Sequence, residues 1–456
     1  MLTKSDFLIY TEAPLHLWAK KNNQYKKEFT QYDTHLAKQG YEVEALAREY
    51  ARKYLDGKAE FQKEFKHENL LSKADIVVGN SIYEVKSGTN IDKENKYDVL
   101  FQYFVASKNS DIENIYILHL NKEYEREGDI NLQELFVVEN MTDYVKENID
   151  IVEGLIAEAL AITTKETPQG LLECNKPKEC PCINLCHPDL PPYSIYDIAN
   201  AKEAKLRVLR EMGILDIKDV PSDFKLSKMQ KKQIEVAKSG VPYINKEIIE
   251  KDLGELEYPI HFLDYETYSW AIPQYENHKP YQNVVFQYSL HILEKDGKML
   301  HKEFLSTTKD DPIKEVIEHL KRDTKGKGSI LVWNKKFEMG CNKEMARIYP
   351  ENSDFFEELN SRVYDLGDIF SKQMYVDSQF KGSWSIKKVL PVLVPKLSYK
   401  EMEISNGTEA MVGWETLVYK NIPKEEREQL LNNMLKYCEL DTYAMYEIYS
   451  YLLTLF

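Results

Sequence analysis

The stretch Tyr258-Pro-Ile-His-Phe-Leu-Asp-Tyr-Glu-Thr-Tyr268 reads as a buried β-strand that ends in a pair of charges. An apolar run, Ile260 to Leu263, delivers Asp264 and Glu266 with one residue between them. On a strand, residues i and i+2 point to the same face, so the two carboxylates stand side by side. At about 4 Å and an effective dielectric near 20, two such charges repel by about 4 kcal/mol. A fold keeps such a pair by solvating it, protonating it or neutralising it with a metal. A divalent-metal site is the expectation. Acid-x-acid pairs recur by chance about ten times in a chain this acidic, so the pair gains meaning only from partners.

The partners come from two later stretches. Ser329-Ile-Leu-Val-Trp-Asn-Lys-Lys-Phe-Glu338 is an apolar strand that breaks into Asn334-x-x-Phe337-Glu338. Leu435-Lys-Tyr-Cys-Glu-Leu-Asp-Thr-Tyr-Ala444 has helical spacing, which puts Tyr437 and Asp441, four apart, on one face. Between the opening stretch and Ser329, Val284 to Leu293 reads as a long strand pairing with the first, a strand follows near Phe304, and Pro312 to Arg322 reads as a helix. Asp365 is one more acid in this region, read as a helix N-cap or first-turn charge.

In this order the three stretches resemble the exonuclease motifs of the DEDD family of 3′–5′ exonucleases, tyrosine variant, on an RNase H-like fold. The resemblance covers residues 255–456. It implies that Asp264, Glu266, Glu338 and Asp441 bind two Mg²⁺ or Mn²⁺ ions. The family usually has Asp where Glu338 stands. It further implies that Tyr437 orients the attacking water, since an unperturbed phenol stays protonated at neutral pH. Asn334 and Phe337 are then positioning residues at the nucleic acid.

The N-terminal half carries a second constellation. Residues 60–66 and 70–78 read as strands, and Ser81-Ile-Tyr-Glu-Val-Lys86 as a third. A hairpin through Gly79-Asn80 would bring Asp75 near Glu84, with Lys86 on the same face as Glu84. Two carboxylates can hold a hard cation. A lysine can position or help deprotonate water and offset phosphate charge. The same spacing also suits a surface hairpin with a Glu–Lys pair. With Gly40-x-x-x-Glu44 on a helix before it and Gln102 on a helix after it, the set resembles the RecB-type PD-(D/E)xK nucleases, a group that includes the CRISPR-associated RecB-like exonucleases. That resemblance covers residues 1–190. It implies Asp75, Glu84 and Glu44 (usually His in the family) at the metal, Lys86 in catalysis and Gln102 at the nucleic acid.

Four of the six cysteines lie at Cys174-x5-Cys180-Pro-Cys182-x3-Cys186, a pattern of metal ligation rather than of a disulfide framework in a cytosolic chain. The expected outcomes are an Fe–S cluster, a Zn²⁺ site with His187 as an extra ligand, or free thiols. RecB-like relatives often hold a [4Fe–4S] cluster with one N-terminal cysteine. Ala13-Pro14 stands where they tend to have Cys-Pro.

His187-Pro-Asp-Leu-Pro-Pro192 is a breaker and a domain boundary. Residues 191–254 read as a helical linker, with Leu206 to Pro221 similar to a helix-hairpin-helix element. Lys225, Lys228, Lys231 and Lys232 form a local basic patch, and DNA contact is expected there.

Composition bounds the rest. With 456 residues, two to three domains are expected, and 43% hydrophobic residues suffice for real cores. A net charge of -15 argues against bulk coating of nucleic acid but not against a nuclease with a local basic groove. No apolar run reaches about 18 residues and the first residues lack a signal-peptide core, so a cytoplasmic protein without membrane contact is expected. The expectation is an α/β chain: a restriction-endonuclease-like domain, a helical linker and an RNase H-like mixed-sheet domain. It would act as a metal-dependent nuclease on DNA, in repair, recombination or defence. A nucleic-acid-binding or scaffold protein with silent centres, and an RNA-processing exonuclease, are the alternatives.

Overall fold

The computed structural model describes residues 1–456. The chain forms two units, Met1–Asp189 with Ser269–Gln282, and Leu190–Tyr268 with Asn283–Phe456.

The first unit is built on a mixed sheet. Its strands are β1 (Leu2–Thr3), β2 (Ala59–His67), β3 (Leu70–Val78), β4 (Ser81–Lys86), β5 (Asn114–Leu120) and β6 (Phe136–Asn140). The order is β1-β3-β4-β5-β6, with β2 along the other edge of β3. The expected hairpin is present: Val78 pairs with Ser81 across Gly79-Asn80, and Gly79 takes the left-handed φ that such a tight turn needs. Helices α1 (Lys4–Glu12), α2 (Pro14–Lys21), α3 (Gln31–Tyr54) and α4 (Lys93–Ser107) pack on it. Thr30 caps α3, and Val43, Ala47 and Ala51, four apart, are its fully buried stripe. Helix α4 is buried from Asp98 to Ala106, polar residues included.

The second unit holds β7 (Tyr243–Ile244), β8 (Ile260–Tyr268), β9 (Val284–Leu293), β10 (Met299–Leu305), β11 (Ile330–Val332), β12 (Val363–Asp365) and β13 (Tyr375–Val376). Five of these make one sheet in the order β10-β9-β8-β11-β12. Strands β8, β9 and β10 are antiparallel neighbours, while β8, β11 and β12 run parallel. As a central strand, β8 is buried on both faces, which is why its apolar run is continuous. A helix of 30 residues, Lys424–Leu453, lies on its Phe262 face, where Phe262 meets Tyr446 and Tyr449.

Residues 191–254 are helical as expected, but they are part of the second unit rather than a linker. Strand β7 pairs with β13, and Ile195, Leu209, Ile217, Val220 and Ile234 share one core. The expected second helix of the hairpin is a single 3₁₀ turn, Ile217–Asp219, after Gly213.

Candidate functional site

In the second unit, β8 presents Asp264 and Glu266 on one face. Tyr265 between them faces the other way and donates to Asn342, 2.9 Å away, on the helix Lys335–Ile348 that also carries Glu338. A register shift after Glu266 re-aims the end of the strand beside the pair. Asp441 and Tyr437 come from the long C-terminal helix, which Gln287 of β9 ties down by donating to the Met434 carbonyl at 3.0 Å. Glu266, Glu338 and Asp441 are all buried. Glu338 Oε2 and Asp365 Oδ1 are buried without a hydrogen-bond partner.

The electrostatics follow from this crowding. Burial, then the charges of Asp441, Glu266 and Glu338, push the Asp264 carboxyl far above its usual range. Burial and then Asp441 do the same to Glu266. Burial raises Glu338 to about 8, with Asp365 adding to it. Asp441 rises only to about 6, because the Tyr399 hydroxyl and Lys387 offset its burial. Four carboxylates that resist ionising, one of them, Glu338, with an orphaned buried oxygen, are a donor set suited to hard divalent cations. One oxygen each of Asp264 and Glu266 and the Cys438 sulfur also lie within 4.8 Å of one another.

Two residues of this centre have no signal in the sequence. Tyr399 donates to Asp441 at 2.6 Å. Lys387 donates to the Ser405 carbonyl at 2.6 Å and to the Tyr437 hydroxyl at 3.3 Å, over the rings of Tyr399 and Tyr437. Tyr437 is buried, and burial with the neighbouring carboxylates keeps its phenol protonated. Asp365 is not the cap of its own helix: from the end of β12 it accepts the Lys335 N–H at 2.9 Å, bracing the turn that delivers Glu338. Asn334 is exposed and Phe337 half-exposed at the start of that helix.

Residues 261–385 match a domain of unknown function, DUF2779. The match takes in Asp264, Glu266, Glu338 and Asp365 and stops short of Lys387, Tyr437 and Asp441. An uncharacterized protein of Ureaplasma parvum is 30% identical over 210 residues, 40% of this chain and 30% of its own length. Another, of Mycoplasma genitalium, is 29% identical over 209 residues, 41% of this chain and 31% of its own length. The chain thus spans about a third of the length of the curated relatives it matches. No solved structure matches it.

The first unit gathers Asp75, Glu84 and Lys86 as the hairpin requires, and Glu44 and Gln102 join them. Gln62 sits opposite Asp75 at a break in the β2–β3 ladder, with a left-handed φ of 54°. Its amide donates to Glu44 at 2.6 Å and to Asp75 at 3.1 Å. Asp75 also accepts the Val85 N–H at 3.0 Å. Burial and the Glu84 charge raise Asp75 to about 7. Asp98 of α4 and Lys4, the first residue of α1, complete the cluster and were not readable from the motif. Lys86 reaches Glu84 at 2.9 Å and is also bonded to Asp98. Lys4 reaches Glu84 at 2.8 Å and Asp98 at 3.2 Å.

Burial works against the Lys86 charge, but Glu84 and Asp98 outweigh it and raise the ammonium above its usual range. Two positions lie otherwise than expected. Gln102 does not face solvent: it is fully buried and donates to Glu84 at 2.6 Å and Asp98 at 2.7 Å. Of the basic patch, Lys225, Lys228 and Lys231 are exposed, whereas the Lys232 ammonium sits 3.4 Å over the Tyr243 ring.

The four cysteines converge, and a histidine of α2 joins them. His16 is fully buried, with Nε2 3.4 Å from Cys180 Sγ. Cys182 and Cys186 are 3.6 Å apart, and Cys174 Sγ is 3.5 Å from His187 Nε2. His16 lies three residues past Ala13, in the segment where the resemblance places an N-terminal cysteine.

No helix is long and apolar enough to cross a membrane.

Proposed function

We propose that the chain is a metal-dependent nuclease whose principal centre is the carboxylate cluster of the second unit, acting from 3′ ends of DNA. The observation that carries this reading is that Asp441, Glu266 and Glu338, buried on one strand and two helices, all raise the cost of ionising Asp264. A mixed sheet with the paired carboxylates on its central strand agrees with the RNase H-like resemblance. Bound among these carboxylates, Mg²⁺ or Mn²⁺ would activate water and neutralise charge on a phosphodiester.

The chain's own groups then have distinct tasks. Tyr437, protonated, donates a hydrogen bond at the reacting end and takes no proton. Lys387 supplies a fixed positive charge beside it. Tyr399 orients Asp441. Asn334 and Phe337, on the rim, meet the substrate. The test is hydrolysis of end-labelled single- and double-stranded DNA and RNA with Mg²⁺ or Mn²⁺, by wild type and by Asp264→Asn. Loss of laddering from 3′ ends in the variant is expected. No degradation of any substrate by wild type with either metal would sink the reading, and RNA degraded in preference to DNA would make it an RNA exonuclease.

A second reading applies to the first unit. Lys4 and Lys86 already neutralise Glu84 and Asp98, and Gln62 bridges Glu44 to Asp75. These contacts favour a nucleic-acid-binding unit whose RecB-like centre is silent. Lys86→Ala with activity equal to wild type on every substrate supports it. Loss of one activity that Asp264→Asn retains shows that the first centre cuts.

A further inference from the structure

The cysteine cluster carries an inference that does not depend on the nuclease reading. Helix α2 opens with Pro14, whose missing N–H costs nothing at that position, and turns His16 inward. One ligand atom each of His16, Cys174, Cys180 and Cys186 lies within 4.8 Å of all the others. A tetrahedral ion with metal–sulfur bonds of about 2.3 Å and metal–nitrogen bonds of about 2.0 Å sets its ligand atoms roughly 3.5–3.8 Å apart. A four-iron cluster gives each thiolate its own iron, so the sulfurs stand apart by the width of the cluster. The His16–Cys180 separation of 3.4 Å matches the first arrangement, and all four ligand atoms lie close enough together for one ion. The donor set also differs from the four cysteines a [4Fe–4S] centre takes, because the N-terminal position is filled by an imidazole.

We propose that His16, Cys174, Cys180 and Cys186 hold a single tetrahedral Zn²⁺, a closed structural site in place of an iron–sulfur cluster. Three thiols release their protons on binding, and His16 offers the lone pair of a neutral Nε2. Glu12, with its carboxylate 3.3 Å from Nδ1, is the acid nearest the outer side of the ring. Cys182 is the spare thiol beside Cys186.

The location gives the ion its task. Residues 164–190 contain only two short helical turns, Pro177–Glu179 and Ile183–Cys186. Apart from the cysteines, the buried members of the local core are Ala13, Leu15 and Ala19. So little apolar surface holds a loop of this length poorly, and a metal staple replaces the missing core. The loop is tied back by Leu15 N to Leu172 O at 3.1 Å and Lys26 N to Pro181 O at 3.0 Å.

The experiment uses the full chain, purified anaerobically with no added metal, and reads metal content, visible absorption and trypsin cleavage. We expect one zinc per chain, no iron and no brown colour. Exchange with Co²⁺ should give thiolate charge-transfer and tetrahedral d–d bands. His16→Ala should weaken zinc by more than roughly tenfold, the size of effect that outer-shell partners alone produce. His16→Cys should keep zinc and shift the cobalt spectrum, so the role of His16 remains testable even where the alanine variant fails to fold. Cys182→Ser should keep zinc with an unchanged spectrum. Chelation should open cleavage at Lys165 and Lys178. Stoichiometric iron with sulfide, absence of metal from wild type, or zinc lost in Cys182→Ser and kept in His16→Ala would each overturn the proposal. Nuclease activity is read separately through Asp264→Asn, so failure of one idea leaves the other standing.

Discussion

Asp264 is crowded by three carboxylates, and that crowding costs stability in a chain without metal. Replacing it with an uncharged group of the same shape removes repulsion and one ligand together. Asp264→Asn is expected to melt at or above the wild-type temperature in chelator and to lose the upward shift that Mn²⁺ gives wild type. Thermal unfolding with and without metal checks this; a variant that still gains from Mn²⁺ would show that Asp264 is no ligand. Lys387 works in the opposite sense, since its ammonium lowers the cost of ionising Asp264, Glu266 and Asp441. Lys387→Met should slow hydrolysis by roughly 10²–10³ and move the acidic limb of the pH–rate profile upward. A slower enzyme with an unmoved profile would point to a purely structural lysine.

The elements explain which residues could be read in advance. Strand β8, the turn into the Glu338 helix and the Tyr437–Asp441 helix face are local patterns of period two or 3.6. Their identity and order follow from neighbours in sequence. Lys387 stands on a short amphipathic helix, Ile386–Leu393, and Tyr399 in the loop after it; neither pattern announces a site, and both reach it through packing on the long helix. Gln62 lies in a strand of alternating residues, and nothing nearby announces the break that turns its amide inward. Lys4 is the first residue of a helix capped by Thr3, placed by the pairing of β1 with distant β3. His16 gives no ligand signal because its partners lie more than 150 residues away. The helices of residues 191–254 were legible, but their attachment was not, because it rests on the β7–β13 pairing. One backbone position makes a test at this scale. Gly328, with φ +114°, leads into β11, and an added Cβ would stand 2.1 Å from the Pro259 carbonyl oxygen. Gly328→Ala should destabilise by about 2 kcal/mol or more, read from urea unfolding, since both the conformation and the space exclude a side chain.

Over the whole molecule the raised carboxyls set a pH dependence. Glu338 and Asp441, at about 8 and about 6 in the folded chain, hold protons that the unfolded chain has already released. Their contribution is therefore complete at low pH and is lost as pH rises toward the folded values. His261 and His291, held near 4 by burial first, are neutral throughout the upper range. The metal-free chain should thus lose stability between about pH 7 and pH 8.5, and Glu338→Gln should flatten that slope. Saturating Mg²⁺ should flatten it too, because bound cations replace the protons. Urea midpoints in chelator at the two pH values decide the matter, and a midpoint that rises with pH would contradict it.

The excursion Ser269–Gln282 has a consequence for how the protein is made. These residues lie between β8 and β9 in the chain, yet they complete the first unit: Arg126 donates to the carbonyls of Pro273 and Gln274, and Gln39 bonds the Ala271 N–H. Ala271 is buried in the core beside Val43 and Ile76. A ribosome that has translated residues 1–189 has therefore not yet supplied everything the N-terminal unit needs. That unit must wait, with part of its core open, until residue 282 has left the exit tunnel. By then β8 has also emerged, and it waits in turn for β9. The second unit is thus begun before the first is complete, and it is completed only when the C-terminal helix, Lys424–Leu453, has emerged.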